Sequence, residues 1–300
     1  LFAACWRLVG IAQRGDMVVA MTDPPLLGVA AWPIAWLKGA RCLHWVQDIY
    51  PEIAQALSGN PFIRAAGGAV RPLRNFAWKH SAGCVALGRD MAAFIARTGV
   101  AAGKISVIPN WAPAGLEPQS GAAARALRAA WNLQGRFVVA YSGNLGRVHD
   151  LDPVLAVAEA LRGEPRLAFV FIGSGAQRRA LEQSAAARKL TNVCFQPAQP
   201  RGRLAETLAL GDVHLVTLHA GCEALVFPSK LYGIAAVGRP VLFIGPRHCE
   251  LARLVVGRGF GLAFARDEIP AMAEALRHLA ADPSRCAALG DAFSASMAWR

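Results

Sequence analysis

The sequence predicts an α/β protein built on parallel sheets. Three observations support this class: the 300-residue length, a composition with 54% hydrophobic and 17% charged residues, and the alternation of short apolar runs with Ala-, Leu- and Arg-rich helical stretches. The length suggests two domains, and the apolar content excludes a disordered chain. Runs that are apolar throughout are typical of strands buried on both faces, as in right-handed βαβ units.

Nine apolar runs predict the strands, and helical periodicity predicts the helices between them. The strands are expected at 17–21, 42–46, 83–87, 105–108, 137–141, 168–172, 193–196, 213–218 and 241–244. The helices are expected at 61–80, 89–99, 121–132, 151–162, 176–189, 202–210, 230–237 and 269–281. The Pro- and Gly-rich stretch 110–121 is typical of an interdomain connection, so we place a first domain at 1–115 and a second at 116–300.

Charge and motif content narrow the function classes. The net charge of +12 favours anionic partners such as nucleotide phosphates or acidic lipid headgroups. The sequence lacks the serine-hydrolase and P-loop motifs, a nucleic-acid-binding pattern and any His or Cys pair with metal-ligand spacing. Seven scattered cysteines without a CxxC pair indicate a reducing cytoplasm. The uncharged apolar stretch 24–37 is too short for a transmembrane helix, which needs about 18–20 residues.

Two glycine turns follow predicted strands in the second half. Gly143, Asn144 and Gly146 precede a helix expected near residue 151, and Gly173 opens a second turn. A glycine turn between strand and helix lets main-chain N–H groups face a bound phosphate. Ordinary strand-to-helix connections also use glycine. The turns alone therefore indicate either a phosphate-binding site or an ordinary connection.

A third candidate lies at the helix expected from residue 230. Pro228 and Ser229 are a typical helix entry, with Ser229 as the N-cap. Lys230 then stands where the helix dipole disfavours a cation unless an anion binds beside it. A solvated surface lysine is the alternative. Glu223, just upstream, is either an acceptor for a ligand hydroxyl or an ordinary loop carboxylate.

The first half offers a candidate contact and a candidate surface. Gln47 and Asp48 follow a strand at the sheet edge where doubly wound folds bind ligands, whereas His44 within that strand is expected to pack inside. The helix 61–80 mixes basic and bulky apolar residues, which suits contact with a membrane surface, but packing on its own sheet is the favoured interpretation. These residues are Arg64, Arg71, Arg74 and Lys79 with Phe62, Ile63, Leu73, Phe76 and Trp78.

Taken together, the segments resemble the retaining GT-B glycosyltransferases of family 4, especially the bacterial branch that builds exopolysaccharide, O-antigen or capsule repeats. The resemblance runs in order from about residue 15 to about residue 290. Its blocks are GDMVVAMTDPPLLG (15–28), HWVQDIYPE (44–52), KISVIPNWAP (104–113), YSGNLGRVHDLDPVL (141–155), FVFIGSGAQRRALE (169–182), NVCFQPAQP (192–200), LALGDVHLVTL (208–218) and PSKLYGIAAVGRPVLFIG (228–245).

The resemblance implies two Rossmann-like parallel-sheet domains facing a cleft, the first of them incomplete. It implies a metal-independent, cofactor-free enzyme that moves a sugar from a UDP- or GDP-linked donor to a glycan or lipid-linked acceptor with retention. It also implies a cytoplasmic protein in peripheral contact with the anionic inner membrane face. The implied donor contacts are Gly143, Asn144, Gly146, Gly173, Gln199, Glu223, Ser229 and Lys230. The implied catalytic residues are Lys230 and Arg147, which would stabilise the leaving phosphate, and Asp48, which would lie on the acceptor side.

The sequence departs from the family pattern at several points. The family's two glutamates would fall on Leu225 and Gly233, and Glu223 is a candidate substitute for the first; Gln47 stands where many relatives have histidine. The family's opening strands would precede residue 1, so we expect either an N-terminally truncated chain or an unusually small first domain. The alternative function is an inactive, truncated nucleotide-binding module. An NAD-dependent oxidoreductase is disfavoured because the second turn lacks the GxGxxG spacing.

Overall fold

The computed structural model describes residues 1–116 and 121–297 and divides the chain into two compact units. Unit 1 consists of Leu1–Asn110 with Gly221–Phe227, and unit 2 of Trp111–Ala220 with Pro228–Arg300. The sequence predicts the domain boundary at 115/116, within the connection 110–121. Residues 117–120 of this connection lie outside the described residues. The structure divides the chain at 110/111 and also assigns 221–227 to unit 1, a return of the chain that no sequence pattern indicates.

Unit 1 contains a four-stranded parallel sheet in the order β1-β2-β3-β4. The strands are β1 (Met17–Met21), β2 (Arg41–Val46), β3 (Gly83–Ala86) and β4 (Ile105–Val107). The helices are α1 (Phe2–Ile11), α2 (Leu27–Leu37), α3 (Glu52–Leu57), α4 (Pro61–His80) and α5 (Arg89–Arg97), with a 3₁₀ turn at Ala102–Lys104. Small side chains allow α2 to pack closely on β1 and β2: Ala20, Ala31, Ala35 and Cys42 are all buried.

Unit 2 contains a six-stranded parallel sheet in the order β10-β9-β8-β5-β6-β7. The strands are β5 (Phe137–Ser142), β6 (Leu167–Ile172), β7 (Val193–Gln196), β8 (Val213–Thr217), β9 (Val241–Ile244) and β10 (Gly261–Phe264). The helices are α6 (Gly121–Ala130), α7 (Asp152–Ala160), α8 (Arg178–Ala187), α9 (Leu204–Ala209), α10 (Lys230–Ala236), α11 (Glu250–Gly257), α12 (Ile269–Ala281) and α13 (Pro283–Met297), with a 3₁₀ turn at Arg201–Arg203.

The central strand β5 shows why continuous apolar runs predict this architecture. Successive side chains point to opposite faces of a strand. Val139 and Tyr141 pack in the layer formed with α7, α8 and α12, whereas Val138 and Ala140 pack in the opposite layer with Leu127 of α6. Helices therefore cover both faces of the sheet, and every position of the strand favours an apolar residue.

The strand order of unit 2 determines where a ligand would bind. From β5 the chain builds β6 and β7 on one side, and it then returns to build β8, β9 and β10 on the other side. The order thus reverses between β5 and β8. In open α/β sheets, ligands bind beyond the carboxyl ends of the strands at this reversal. The loops that follow β5 and β8 are therefore the expected site.

The nine predicted strands are all present, but the sequence prediction of five strands for the second half was one short. The missing strand is β10, which is only four residues long and only alternately buried. Five described helices, α1, α2, α3, α11 and α13, are not among the eight helices whose bounds the sequence predicts. No helix in the described part of the chain combines the length and apolar composition needed to span a bilayer.

Candidate functional site

The two predicted glycine turns lie against each other in unit 2. The N–H of Gly143 donates to the Ile172 carbonyl at 2.9 Å, and the N–H of Leu145 donates to the Ser174 carbonyl at 2.7 Å. Gly173 has φ +143°, and a Cβ at this position would lie 2.0 Å from the Gly143 carbonyl oxygen. Both the backbone angle and the close approach thus require glycine at position 173.

Two side chains that sequence reasoning missed hold these turns in place. The Gln177 amide Nε2 donates to the carbonyls of Gly146 at 2.6 Å and His149 at 2.9 Å. The Arg178 guanidinium donates to the carbonyls of Gly173 at 2.6 Å and Gln196 at 2.7 Å. Both residues follow the second turn directly. Their types carry no signal in the sequence, because their partners are main-chain atoms of distant loops.

The structure brings Lys230 to the first glycine turn. A Cβ on Gly143 would lie 3.7 Å from the Lys230 Nζ, which lies 3.5 Å above the centroid of the Tyr141 ring. The Nζ is buried and makes no hydrogen bond with the described residues. Burial lowers the pKa of this amine well below its usual value. A buried ammonium without a hydrogen-bond acceptor is costly, and a bound anion would compensate it.

Tyr141 and His149 form the remainder of this cluster. Tyr141 is fully buried at the end of β5, and its hydroxyl donates to the Asn144 carbonyl at 2.8 Å. The His149 Nδ1 lies 2.7 Å from the Thr217 carbonyl oxygen, and burial together with the nearby Lys230 charge lowers the pKa of His149 to about 3. His149 is therefore neutral at physiological pH, and Lys230 is the residue of this cluster whose charged form a bound anion would stabilise.

Other predicted residues of unit 2 make fewer contacts. Arg147 is exposed beside the first turn. Gln199 is half-buried after β7, and its amide donates to the Pro197 carbonyl at 3.0 Å. Ser229 occupies the N-cap position of α10 with helical backbone angles, but its exposed side chain makes no capping hydrogen bond. Ser229 is thus the N-cap residue that the sequence predicts, without the side-chain hydrogen bond that is usual at this position.

Asp48 lies at the carboxyl end of β2 in unit 1. The main-chain N–H groups of Gln47 and Asp48 both donate to the Thr22 hydroxyl, at 3.1 and 3.0 Å. Asp48 lines a small cavity with the buried His44 and with Tyr50. Burial, followed by the charge of Asp23, raises the pKa of Asp48. The expectation that His44 packs inside is confirmed.

The segment Gly221–Phe227 explains the position of Glu223. Asp48 and Val226 form an antiparallel bridge, and the Ile49 N–H donates to the Leu225 carbonyl at 2.9 Å. These contacts attach the segment to the strand end that carries Asp48. Glu223, which the resemblance places among the donor contacts of the second domain, is thus a half-buried residue of unit 1.

Helix α4 divides its basic and aromatic residues between two environments. Arg74 is buried in a two-pronged ion pair with Glu52, at 2.7 and 2.8 Å, and lies 4.2 Å from the ring centroid of the buried Trp78. Arg74 and Trp78 therefore pack within unit 1, and their inclusion among the residues of helix 61–80 that suit a membrane surface was wrong.

Among the residues that the structure describes, no three His, Cys, Asp or Glu side chains gather as they would to hold a metal ion.

Two parallel α/β units, one of them with the Rossmann strand order and glycine turns at its reversal point, define a Rossmann-like class of nucleotide-binding architecture. Comparison with protein families agrees with this. Residues 124–293 match the family "Glycosyl transferases group 1", and residues 1–111 match the "Glycosyl transferase 4-like domain". The chain belongs to the group 1 glycosyl transferases.

Two curated relatives and two solved structures show how far the similarity extends. WcaI of Escherichia coli (strain K12), named for glycosyl transfer in colanic acid biosynthesis, is 33% identical over 227 residues, which are 74% of this chain and 55% of WcaI. WbjE of Pseudomonas aeruginosa, named as a glycosyltransferase, is 27% identical over 85% of this chain and 64% of WbjE. The chain thus spans more than half but less than two thirds of the length of each of these relatives.

The solved structures are similar in fold at low identity. Anabaena HepE in complex with UDP has a TM-score of 0.80 at 16% identity, over 98% of this chain and 77% of HepE. WaaG, a glycosyltransferase involved in lipopolysaccharide biosynthesis, has a TM-score of 0.66 at 16% identity, over 87% of this chain and 74% of WaaG. This chain contains two Rossmann-like parallel-sheet units, as the sequence predicts. This architecture matches the GT-B fold of HepE and WaaG.

Proposed function

We propose that this protein transfers a sugar from a nucleotide sugar to a glycan or lipid-linked acceptor in the cytoplasm, with retention of anomeric configuration. The observation that carries the proposal is the buried side-chain nitrogen of Lys230, which lies beside the Gly143 turn at the strand-order reversal of unit 2. A diphosphate is the ligand whose charge suits this arrangement. Family membership and the UDP and UDP-glucose complexes of HepE support the same choice.

In the proposed reaction, the bond between the anomeric carbon and the diphosphate oxygen breaks while a bond to the acceptor hydroxyl oxygen forms on the same face. The hydroxyl proton leaves with the diphosphate. Negative charge grows on the leaving group, and fixed cations and N–H dipoles aimed at it lower the barrier. We assign this role to Lys230 and Arg147 and propose that no metal or resident cofactor takes part.

We assign the remaining predicted residues to binding. Gly143, Asn144, Gly146 and Gly173 would contact the donor diphosphate or sugar, together with Ser229. Gln199, in the loop after β7, would lie near the nucleobase. Asp48 and Glu223, which the structure groups in unit 1, are assigned to acceptor and sugar hydroxyls, because carboxylates accept hydrogen bonds from such groups.

The test is a transfer assay with UDP- and GDP-linked sugars on the wild type and Lys230→Ala. Losing one preorganised donor costs about 3 kcal/mol of barrier, so we expect transfer to fall by about a hundredfold or more. Arg179→Ala is the matched control, since Arg179 is an exposed cation on α8 of the same unit. Unchanged turnover in Lys230→Ala, with the melting temperature preserved, would remove Lys230 from the mechanism.

Calorimetry with the same nucleotides separates the enzyme from the inactive binding module. Nucleotide binding with transfer supports the proposal. Nucleotide binding without transfer to any glycan or lipid-linked acceptor would favour the module, and failure to bind either nucleotide would contradict both.

A further inference from the structure

A small cavity lies in unit 1 near the carboxyl ends of β1 and β2. Thr22 and Asp48, which follow these strands, line it together with Gly28 of α2 and His44 of β2. We call it the unit 1 cavity. Its volume of about 20 Å³ admits a group the size of a water molecule, whereas a sugar ring is too large. A ligand would therefore place a single small substituent in it.

The wall of the unit 1 cavity contains a buried side chain whose polar atom lacks a partner. His44 is 3% exposed, and its Nε2 makes no hydrogen bond with the described residues. Burial lowers the pKa of this imidazole to about 4, so the ring is neutral at physiological pH. Leaving a buried polar atom unpaired is costly, and a hydrogen-bonding group in the cavity would remove that cost.

Glycine at position 28 leaves room for the imidazole. A Cβ on Gly28 would lie 2.3 Å from the Nδ1 of His44 and 2.5 Å from its Cε1, closer than non-bonded atoms approach. The ring therefore lies directly against the first turn of α2, and any larger residue at position 28 would displace it. Position 28 thus controls where the His44 ring lies.

The other polar groups of the unit 1 cavity suit a hydroxyl. The Thr22 hydroxyl accepts the main-chain N–H groups of Gln47 and Asp48, so its own hydrogen is what it can still offer a ligand. The Nε2 of a neutral histidine donates or accepts according to the tautomer. A hydroxyl does both, and it can therefore pair with Thr22 and with either tautomer of His44.

The charges of the cavity wall disfavour an ionic ligand. Arg74 lines the cavity, and Glu52 balances its charge through their two-pronged ion pair. Asp48 also lines the cavity, and its pKa is raised by burial and then by the charge of Asp23. An anion would be repelled by these carboxylates, and a cation would lie near the Arg74 guanidinium. An uncharged group meets neither penalty.

We propose that the unit 1 cavity binds one uncharged hydroxyl of the acceptor sugar, with Thr22 and the Nε2 of His44 as its hydrogen-bond partners. The acceptor substituent at this position is then a neutral hydroxyl rather than a phosphate or the carboxylate of a uronic acid. This assignment rests on the proposed sugar transfer, because it names the acceptor chemistry, and it makes His44 a specificity-determining residue.

The test is an NMR titration of the full chain, labelled with ¹⁵N at histidine, with methyl glucoside and methyl galactoside. Each glycoside is paired with its methyl uronide, which carries a carboxylate. We expect the neutral glycosides to shift the side-chain nitrogen signals of His44, which are identified by their loss in His44→Phe. Each uronide should bind at least about tenfold more weakly, because like charges oppose its entry.

Two variants locate the binding in ligand-observed titrations. His44→Phe keeps an aromatic ring but removes Nε2, and we expect it to bind the glycosides about fivefold more weakly. Gly28→Ala should weaken binding by about tenfold, because the added Cβ displaces the His44 ring. The matched control is Gly68→Ala on α4, where a Cβ would meet nothing within 4 Å and binding should be unchanged. Melting temperatures verify that the variants fold.

Three results would overturn the proposal: no shift of the His44 signals with either glycoside, equal glycoside affinity in the wild type and His44→Phe, or uronides that bind as tightly as the neutral glycosides. The titration contains no nucleotide and measures no transfer. A chain that binds the glycosides at His44 but transfers no sugar would refute only the sugar transfer. A chain that transfers sugar without any of these effects at His44 would refute only the cavity assignment.

Discussion

Gly173→Ala tests whether the contact between the two glycine turns forms the site. An added Cβ would lie 2.0 Å from the Gly143 carbonyl oxygen, and the φ of +143° is strained for any residue with a side chain. Strain at such a backbone position costs about 1–3 kcal/mol, and forcing extra atoms into a packed contact costs about 1–3 kcal/mol more. We therefore expect a loss of at least about 2 kcal/mol of stability in unit 2.

The assay combines thermal unfolding with nucleotide calorimetry. For a unit of this size, about 2 kcal/mol corresponds to a fall in Tm of about 4–8 °C. Nucleotide affinity should also fall by about tenfold or more, equivalent to about 1.4 kcal/mol, because the Gly143 turn must shift from its position beside Lys230. Gly163→Ala is the matched control: a Cβ there meets nothing within 4 Å, so its effect should stay within about 0.5 kcal/mol.

The reasoning would be refuted if Gly173→Ala melted and bound nucleotide like Gly163→Ala. The two turns would then tolerate separation, and their contact would not shape the site.

Three further predictions concern single contacts. Tyr141→Leu should weaken nucleotide binding by about tenfold or more, because it removes the ring that lies against the Lys230 ammonium. The affinity of Tyr141→Phe should stay within about fivefold of the wild type. Equal affinities of Tyr141→Leu and the wild type in calorimetry would contradict this. Glu52→Leu should lower the free energy of unfolding by about 3–5 kcal/mol, because it leaves Arg74 buried without its carboxylate partner. Adding Arg74→Met to the same chain should recover most of the lost free energy of unfolding. Urea unfolding that shows no recovery would contradict a buried ion pair. The free energy of unfolding should fall as pH drops from about 6.5 towards 4, by up to about 1.4 kcal/mol per pH unit for each buried histidine. The reason is that the unfolded chain binds protons that the folded chain excludes. Equal urea midpoints at pH 7 and pH 5 would contradict this. Burial lowers the pKa of three histidines: His44 to about 4, His149 to about 3 and His214 to about 4.

The strands and their parallel pairing could be predicted because burial on both faces leaves a direct mark on the sequence. The runs that became β5 and β6 are apolar at nearly every position. The strand β10 leaves a weaker mark, since two of its four residues are only half-buried. Helix α11 begins at the sulfur of Cys249, which accepts the Ala252 N–H, rather than at a Ser, Thr, Asp or Asn cap. Such an entry gives no usual start signal.

The site could be predicted only in part, because only some of its residues leave a local pattern in the sequence. Glycine turns and a lysine at a helix start are visible as local patterns, and the structure brings Gly143 and Lys230 together. The contributions of Tyr141 and Gln177 depend on contacts between distant loops, so their residue types alone indicate nothing. The grouping of Glu223 with unit 1 depends on the return of the chain at 221–227, which local patterns do not encode.

The central claim is that the Lys230 ammonium and the Gly143 turn bind a diphosphate. The most direct measurement compares, by calorimetry, the affinity for a nucleoside diphosphate with the affinity for its nucleoside, in the wild type and in Lys230→Met. Uridine with UDP, and guanosine with GDP, isolate the diphosphate contribution. We expect the wild type to prefer the diphosphate strongly and Lys230→Met to lose most of that preference. An equal preference in both proteins would contradict the claim.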